Sequence, residues 1–189
     1  MRKMTVLLSV SMIMISTLAA CSILDDDEET LSQEDIPMSL QLSSPAFADG
    51  DMIPAAHARK GQNVSPSLAW SDTPAGTSSF ALIVDDPDAP RGTWVHWVVY
   101  NLPADAAMLP EGIVSNDDLP GDAVQGRNDW GESAYGGPQP PSGTHRYFFK
   151  LYALDKTLDL GPGATKSEVL AAMDGHVLAE GQLMGRYQN

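Results

Sequence analysis

Three apolar runs set the limits on what this chain can fold into. The first, Phe80 to Val84 within "SSFALIVDD", contains no polar residue, which fits a strand covered on both faces. The second is "TWVHWVVYNLP". Strict alternation there puts Trp94, His96, Val98 and Tyr100 on one face and Val95, Trp97 and Val99 on the other. The third, "HRYFFKLYALD", puts His145, Tyr147, Phe149 and Leu151 on one face. Two weaker runs join them. "MSLQLSS" alternates Met38, Leu40 and Leu42 with polar residues, and "HVLAEGQLMGRY" alternates Val177, Ala179, Leu183 and Tyr187, interrupted by Gly181 and Gly185. One helix is marked by the capping box Thr165-Lys166-Ser167-Glu168, an apolar face of Val169, Leu170, Ala172 and Met173, and a stop at Gly175. The pattern predicts a mainly β domain with a short helix near the C-terminus.

The N-terminal residues have a different character. Residues 1–20 carry Arg2 and Lys3, then an apolar stretch from Met4 to about Leu18, then small residues, the pattern of a secretory signal. Leu18-Ala19-Ala20-Cys21 resembles the lipobox of bacterial lipoproteins, whose cysteine is acylated and becomes the first mature residue. Cys21 is the only cysteine, so it is expected to be a membrane anchor and no internal disulfide is possible. By that family's sorting rule, Ser22 in place of aspartate directs the protein to the outer membrane. Residues 21–36, with the acidic run Asp25 to Glu29, read as a solvated tether. Residues 37–189 are long enough for one ordinary domain. Without residues 1–20, nine basic residues face 25 acidic ones, a net charge of −16. Such a surface repels phosphate backbones, so nucleic acid is excluded as a partner class.

Within the domain, two segments stand apart. "DDPDAPRGTWVHW" and "GGPQPPSGTHRYFF" are each a Pro- or Gly-rich loop running into an apolar strand that carries a histidine. Prolines 87, 90, 138, 140 and 141 restrict the loops, which lowers the entropic cost of holding a site in shape. The residue types alone leave three chemistries open. Two aspartates and two histidines suit a metal such as zinc, although nothing resembles HExxH or a close His pair. Neighbouring carboxylates Asp86 and Asp88 suit an acid-base dyad, although there is no G-x-S-x-G elbow and no cysteine outside the anchor. Histidines, carboxylates and aromatic rings together also suit a binding pocket for a small anion.

Together the two segments resemble the signatures of the phosphatidylethanolamine-binding protein family, also called Raf-kinase-inhibitor-like proteins, and most of all its bacterial YbhB/YbcL branch. The first signature is Asp86-Pro87-Asp88-Ala89-Pro90 followed by Trp94-Val95-His96. The second is Gly137-Pro138-Gln139-Pro140-Pro141 followed by Gly143-Thr144-His145-Arg146-Tyr147. "SPSLAW", "YALD" and a closing "GRY" extend the match across nearly all of residues 37–187. The resemblance implies a large central antiparallel sheet packed on a smaller one, with an anion-accepting pocket at one end. It implies a pocket lined by Asp86, Asp88, Trp94, His96, Gly137, Pro138, His145 and Tyr147, and a cis bond before Pro90. Animal members place a C-terminal helix beside the pocket. Here the sequence ends at Asn189, just after the last strand, so one wall is expected to be open or built differently. The Pro-rich loop is also shorter than in animal members, which bears most on Gly137 and Pro138.

The expected function is therefore a lipid-anchored envelope module binding a small anionic or phosphorylated ligand, such as a phospholipid headgroup, with no cofactor and no catalytic residue. The resemblance also implies a second role, as a protein-interaction or inhibitor module acting on a kinase or protease. A hydrolase using an Asp/His site is the third. Beyond the eight pocket residues, His57 and His176 are expected at the surface, Arg146 in a structural salt bridge, and Trp130 in an ordered loop packed under the pocket.

Overall fold

The apolar run at residues 80–84 is the centre of the molecule. It belongs to β3 (Ser79–Asp86), every residue of which is buried, between β4 (Trp94–Pro103) and β7 (Thr144–Leu154). The structure, a computed structural model, describes residues 40–189. The signal, Cys21 and the tether lie outside the described residues. β8 (Val177–Gln188) pairs with β7 and the two-residue β6 (Val124–Gln125) with β4, giving an antiparallel sheet in the order β6-β4-β3-β7-β8. A smaller antiparallel sheet holds β1 (Gln41–Ser43), β2 (Leu68–Ser71) and β5 (Met108–Leu109) in the order β1-β2-β5.

Two faces of β3 feed two cores. Phe80, Leu82 and Val84 pack with Trp97, Phe149, Leu151 and the small-sheet residues Leu42, Leu68 and Trp70. Ala81 and Ile83 pack on the opposite side with Val98, Tyr100 and the helix α1 (Lys166–Met173) through Val169 and Met173. Coverage on both sides is why β3 carries no polar alternation. Thr165 and Glu168 form the expected capping box on α1, and Gly175 takes the left-handed conformation (φ +73°) after it. Leu170 is the exception on the predicted apolar face and is 39% exposed.

β4 departs from strict alternation, and the departure decides where the site is. Val84 pairs with Trp97 and Asp85 pairs with Val95, so His96 is an extra residue with no partner on β3. This β-bulge shifts the phase of the strand. Val98 and Tyr100 face α1 as predicted from alternation, but His96 does not join them. It turns to the other side, against Val84, Tyr147 and Phe149.

The glycines of β8 have a packing role. A Cβ on Gly181 would lie 2.6 Å from the Leu40 carbonyl oxygen, and one on Gly185 would lie 2.4 Å from Ile53 Cγ1. Both leave room for the N-terminal part of the domain to cross the sheet. That segment also seals the edge of β8. Gly50 and Ile53 donate their N–H groups to the carbonyls of Met184 and Arg186, and Arg186 N–H donates to the Asp51 carbonyl.

Candidate functional site

The loop-proximal end of the large sheet gathers three strand ends. Asp86 closes β3, His96 is the bulged residue of β4, and His145 and Tyr147 begin β7. Asp86 is buried, with one oxygen 2.8 Å from His145 Nδ1 and the other accepting the Asp88 N–H at 2.8 Å. The Asp-Pro-Asp turn therefore fixes the carboxylate, and the carboxylate fixes the histidine. His96 is clamped by two bonds to Gly136: its Nδ1 donates to the Gly136 carbonyl at 2.6 Å, and the Gly136 N–H donates to the His96 carbonyl at 2.9 Å. Burial pushes the pKa of His96 below its ordinary value, against the opposing pull of the Gly136 carbonyl and Asp86, so the ring is neutral near pH 7.

A cavity of about 250 Å³ opens onto this end, lined by Asp86, Ala89, Pro90, Trp94, His96, Trp130, Gln139, Pro141 and His145. Its aromatic wall is an edge-on stack. Trp130 lies 5.3 Å from Trp94 and 5.0 Å from His96, ring centre to ring centre. The turn holding Trp130 is organised by the buried Asn128, whose side-chain oxygen accepts the N–H groups of Trp130 and Glu132. Arg59 stacks on the Trp130 ring at 4.2 Å and makes a two-bond pair with Glu132. The motif reading placed Trp130 under the pocket, whereas it is a wall. The Asn128-Asp129-Trp130-Gly131 turn is the signal that marks it in the sequence.

Of the eight residues expected to line the pocket, Asp86, Trp94, His96 and His145 do. Tyr147 and Pro138 lie one layer deeper, around a small void beneath His96 with Tyr135 and Phe149. The Tyr147 hydroxyl is buried with no hydrogen-bond partner among the described residues, and burial, helped by the Asp86 charge, holds it protonated. Gly137 is a packing residue, because a Cβ there would lie 2.1 Å from the His57 carbonyl oxygen. Asp88 belongs to Arg146, as that arginine's expected salt bridge requires: it accepts from the Arg146 backbone N–H at 3.0 Å, from Nε at 2.9 Å and from Nη2 at 2.7 Å. The two aspartates thus take separate partners and form no dyad.

Two expectations are corrected. The Ala89–Pro90 bond is trans, as is every peptide bond among the described residues. Trans is the favoured X–Pro geometry by about 0.5–1 kcal/mol. The reversal is made instead by Gly92, which takes φ +102° and donates its N–H to the Ala89 carbonyl. His57 is not a surface residue. It is buried in a 3₁₀ turn, Ala55–His57, with Nδ1 2.8 Å from the Val64 carbonyl oxygen. His176 lies half-exposed at the surface, as expected, and pairs with Asp155.

The Asp88–Arg146 contact has a consequence in acid. Hydrogen bonding to Arg146 lowers the Asp88 pKa from 3.8 to about 2. A carboxyl more acidic folded than unfolded stabilises the fold above its unfolded pKa and loses that contribution as pH falls through the folded value. The difference in melting temperature between wild type and Asp88→Asn is expected to be constant near neutrality and to shrink between about pH 3.8 and pH 2. A difference unchanged across that window would remove Asp88 from the acid response.

The family model for "Phosphatidylethanolamine-binding protein" matches residues 43–188. A "UPF0098 protein" of Methanothermobacter thermautotrophicus is 51% identical over 149 residues, covering 79% of this chain and 99% of the relative. YbhB of Escherichia coli is 42% identical over 157 residues, covering 78% and 99%. Among solved structures, E. coli YbcL, described as a new member of the mammalian PEBP family, superposes with a TM-score of 0.75 at 36% identity, covering 80% of this chain and 99% of its own. A phosphatidylethanolamine-binding protein homologue of Chlamydia trachomatis does so with 0.74 at 43% identity, covering 81% and 99%. Two antiparallel sheets, two loop signatures meeting at one sheet end and this span of matched residues place the chain in the phosphatidylethanolamine-binding protein family, alongside YbhB and YbcL.

Proposed function

We propose that this chain is a lipid-anchored envelope protein that binds a small anionic or phosphorylated group, such as a phospholipid headgroup, in the cavity at Asp86, Trp94, His96 and His145. One observation carries the reading. Two histidines from different strands line a single small cavity, and each has its Nδ1 fixed by an acceptor. Rings held this way keep one nitrogen for a ligand and lose little entropy on binding. Trp94 and Trp130 supply apolar walls for whatever the anion is attached to. The family name supports a phosphoryl-bearing ligand. Binding is favoured over turnover because Asp86 and Asp88 are each committed to another residue, which leaves no free carboxylate pair for acid-base work.

Titration with phosphate or phosphoethanolamine, followed by histidine NMR shifts, is expected to move His96 and His145 in the wild type. Affinity is expected to fall at least about tenfold in His96→Ala and His145→Ala, since a hydrogen bond to a charged group contributes about 1.5–3 kcal/mol. No shift in the wild type would refute the reading. The anchor rests on the lipobox-like Leu18-Ala19-Ala20-Cys21, with Ser22 directing the protein to the outer membrane. Cys21→Ser is expected to move the protein from the membrane to the soluble fraction on cell fractionation, because the acylated cysteine is lost. Retention in the membrane would refute the anchor.

A further inference from the structure

His96 and His145 are fixed in the same sense. Nδ1 of His96 lies 2.6 Å from the Gly136 carbonyl oxygen and Nδ1 of His145 lies 2.8 Å from an Asp86 oxygen. Carbonyl and ionised carboxylate oxygens only accept, so each Nδ1 carries the proton. In a neutral ring, Nε2 is then left with a lone pair. For His96, burial disfavours the second proton. A fully ionised oxyanion entering here meets a lone pair on His96 and the negative charge of Asp86, neither of which attracts it.

Of the remaining groups around His96, only His145 can carry positive charge, and its Nδ1 sits 2.8 Å from the negative Asp86 carboxylate. Asp86 faces it from β3, His145 and Tyr147 from β7, and Tyr135 and Asp129 from the segment between β6 and β7. Asp129 and Asp86 are acids and both tyrosines are protonated by burial. Arg59 lies over the Trp130 ring with its charge paired to Glu132, and Arg146 is bound to Asp88. Trp94, in the cavity wall, has a buried indole N–H with no partner among the described residues. The cavity therefore offers an acceptor in His96.

We propose that the cavity takes its anion together with a proton, as an acid-form phosphomonoester whose P–O–H donates to Nε2 of His96, in preference to a phosphodiester. This rests on the reading of the cavity as an anion site. The proton comes from solvent and ends in the hydrogen bond between a phosphoryl oxygen and Nε2, and no other bond is made or broken. A phosphomonoester loses its second proton near pH 6, so at neutral pH it enters mostly as the dianion and must take one up. A phosphodiester has no such O–H, and nothing on it replaces that donor.

Calorimetry on the full chain in detergent tests this with methyl phosphate and dimethyl phosphate, in buffers of different ionisation enthalpy at about pH 7.5, well above the second phosphate pKa. Methyl phosphate is expected to bind with uptake of close to one proton, and to weaken about tenfold per pH unit above that point. Dimethyl phosphate is expected to bind at least about tenfold more weakly. His96→Asn, which keeps an amide donor for the Gly136 carbonyl but lacks Nε2, should lose both the proton uptake and the discrimination. Should that variant not fold, nitrogen NMR of the wild-type ring decides instead. A His96 Nε2 already protonated in the free protein at that pH would overturn the proposal. So would methyl phosphate binding without proton uptake, or equal affinity for the two esters, and each leaves the anion site standing. No heat and no histidine shift with either ester would remove the anion site itself. Short-chain phosphatidic acid binding more tightly than methyl phosphate assigns the monoester to a lipid, and equal binding assigns it to a soluble metabolite. Short-chain phosphatidylethanolamine outbinding both would overturn the proposal.

Discussion

Asp86→Ala is expected to destabilise the fold by about 3–6 kcal/mol, because two hydrogen bonds to a buried carboxylate are lost at about 1.5–3 kcal/mol each. Two groups lose their acceptor at once. His145 Nδ1, in a ring that is almost wholly buried, keeps a proton with nowhere to put it, and the Asp88 N–H loses the oxygen that closes the turn. The change should appear as a lower urea midpoint with an unchanged slope. Asp86→Asn should lose less, because the amide oxygen still accepts from one of the two donors. A loss under about 1 kcal/mol for the alanine variant would mean that water replaces the carboxylate and that the Asp-Pro-Asp turn stands without it. Binding of phosphate should fall in both variants, since His145 is no longer held toward the cavity.

The second large effect is at Gly137. Substitution by alanine would put a Cβ 2.1 Å from the His57 carbonyl oxygen, 2.7 Å from the Arg59 nitrogen and 2.8 Å from the Ala58 carbonyl carbon. All three are backbone atoms in a tight turn, so the loop itself must move. Overpacking of this kind costs about 1–3 kcal/mol, and more where nothing can give. The neighbouring Gly136 carries the carbonyl that holds His96, so displacement of the loop should also weaken anion binding. Gly161, where an added Cβ meets nothing within 4 Å, is the control and should change stability by less than about 0.5 kcal/mol. Equal stabilities for the two variants would show that the loop tolerates displacement.

The long strands were legible because burial is continuous in β3 and most of β4 and alternating in β7 and β8. β3, β4, β7 and β8 carry enough apolar residues in sequence to declare themselves, and the Thr165-Glu168 box declared α1. β5 and β6 have two residues each and sit in a segment full of Gly, Pro and Asp, so no periodicity exists to find. The bulge at His96 was hidden for a different reason. Alternation assumes an unbroken ladder, and one unpaired residue shifts the phase between the residues before it and those after it, so Val95 joins Val98 and Tyr100 while His96 does not. Asp86 and Asp88 look equivalent in the motif, but a proline turn ends the strand between them and sends one inward and the other to Arg146. Trp130 belongs to neither loop signature and reaches the cavity only because Asn128 coils its turn, a contact that spacing along the chain does not encode.

The strap of residues 50–53 along β8 bears on how the chain meets other copies of itself. Its N–H groups occupy the carbonyls of Met184 and Arg186, which would otherwise form an open row on the outermost strand. At the opposite edge, β6 spans only two residues. At both edges the template for strand addition, the route by which β proteins swap segments or polymerise, is thus shorter than a full open strand. Proteolytic trimming that removed the strap would uncover one. If the proposed anchor crowds many copies into one membrane plane, that shielding works against strand pairing between neighbours.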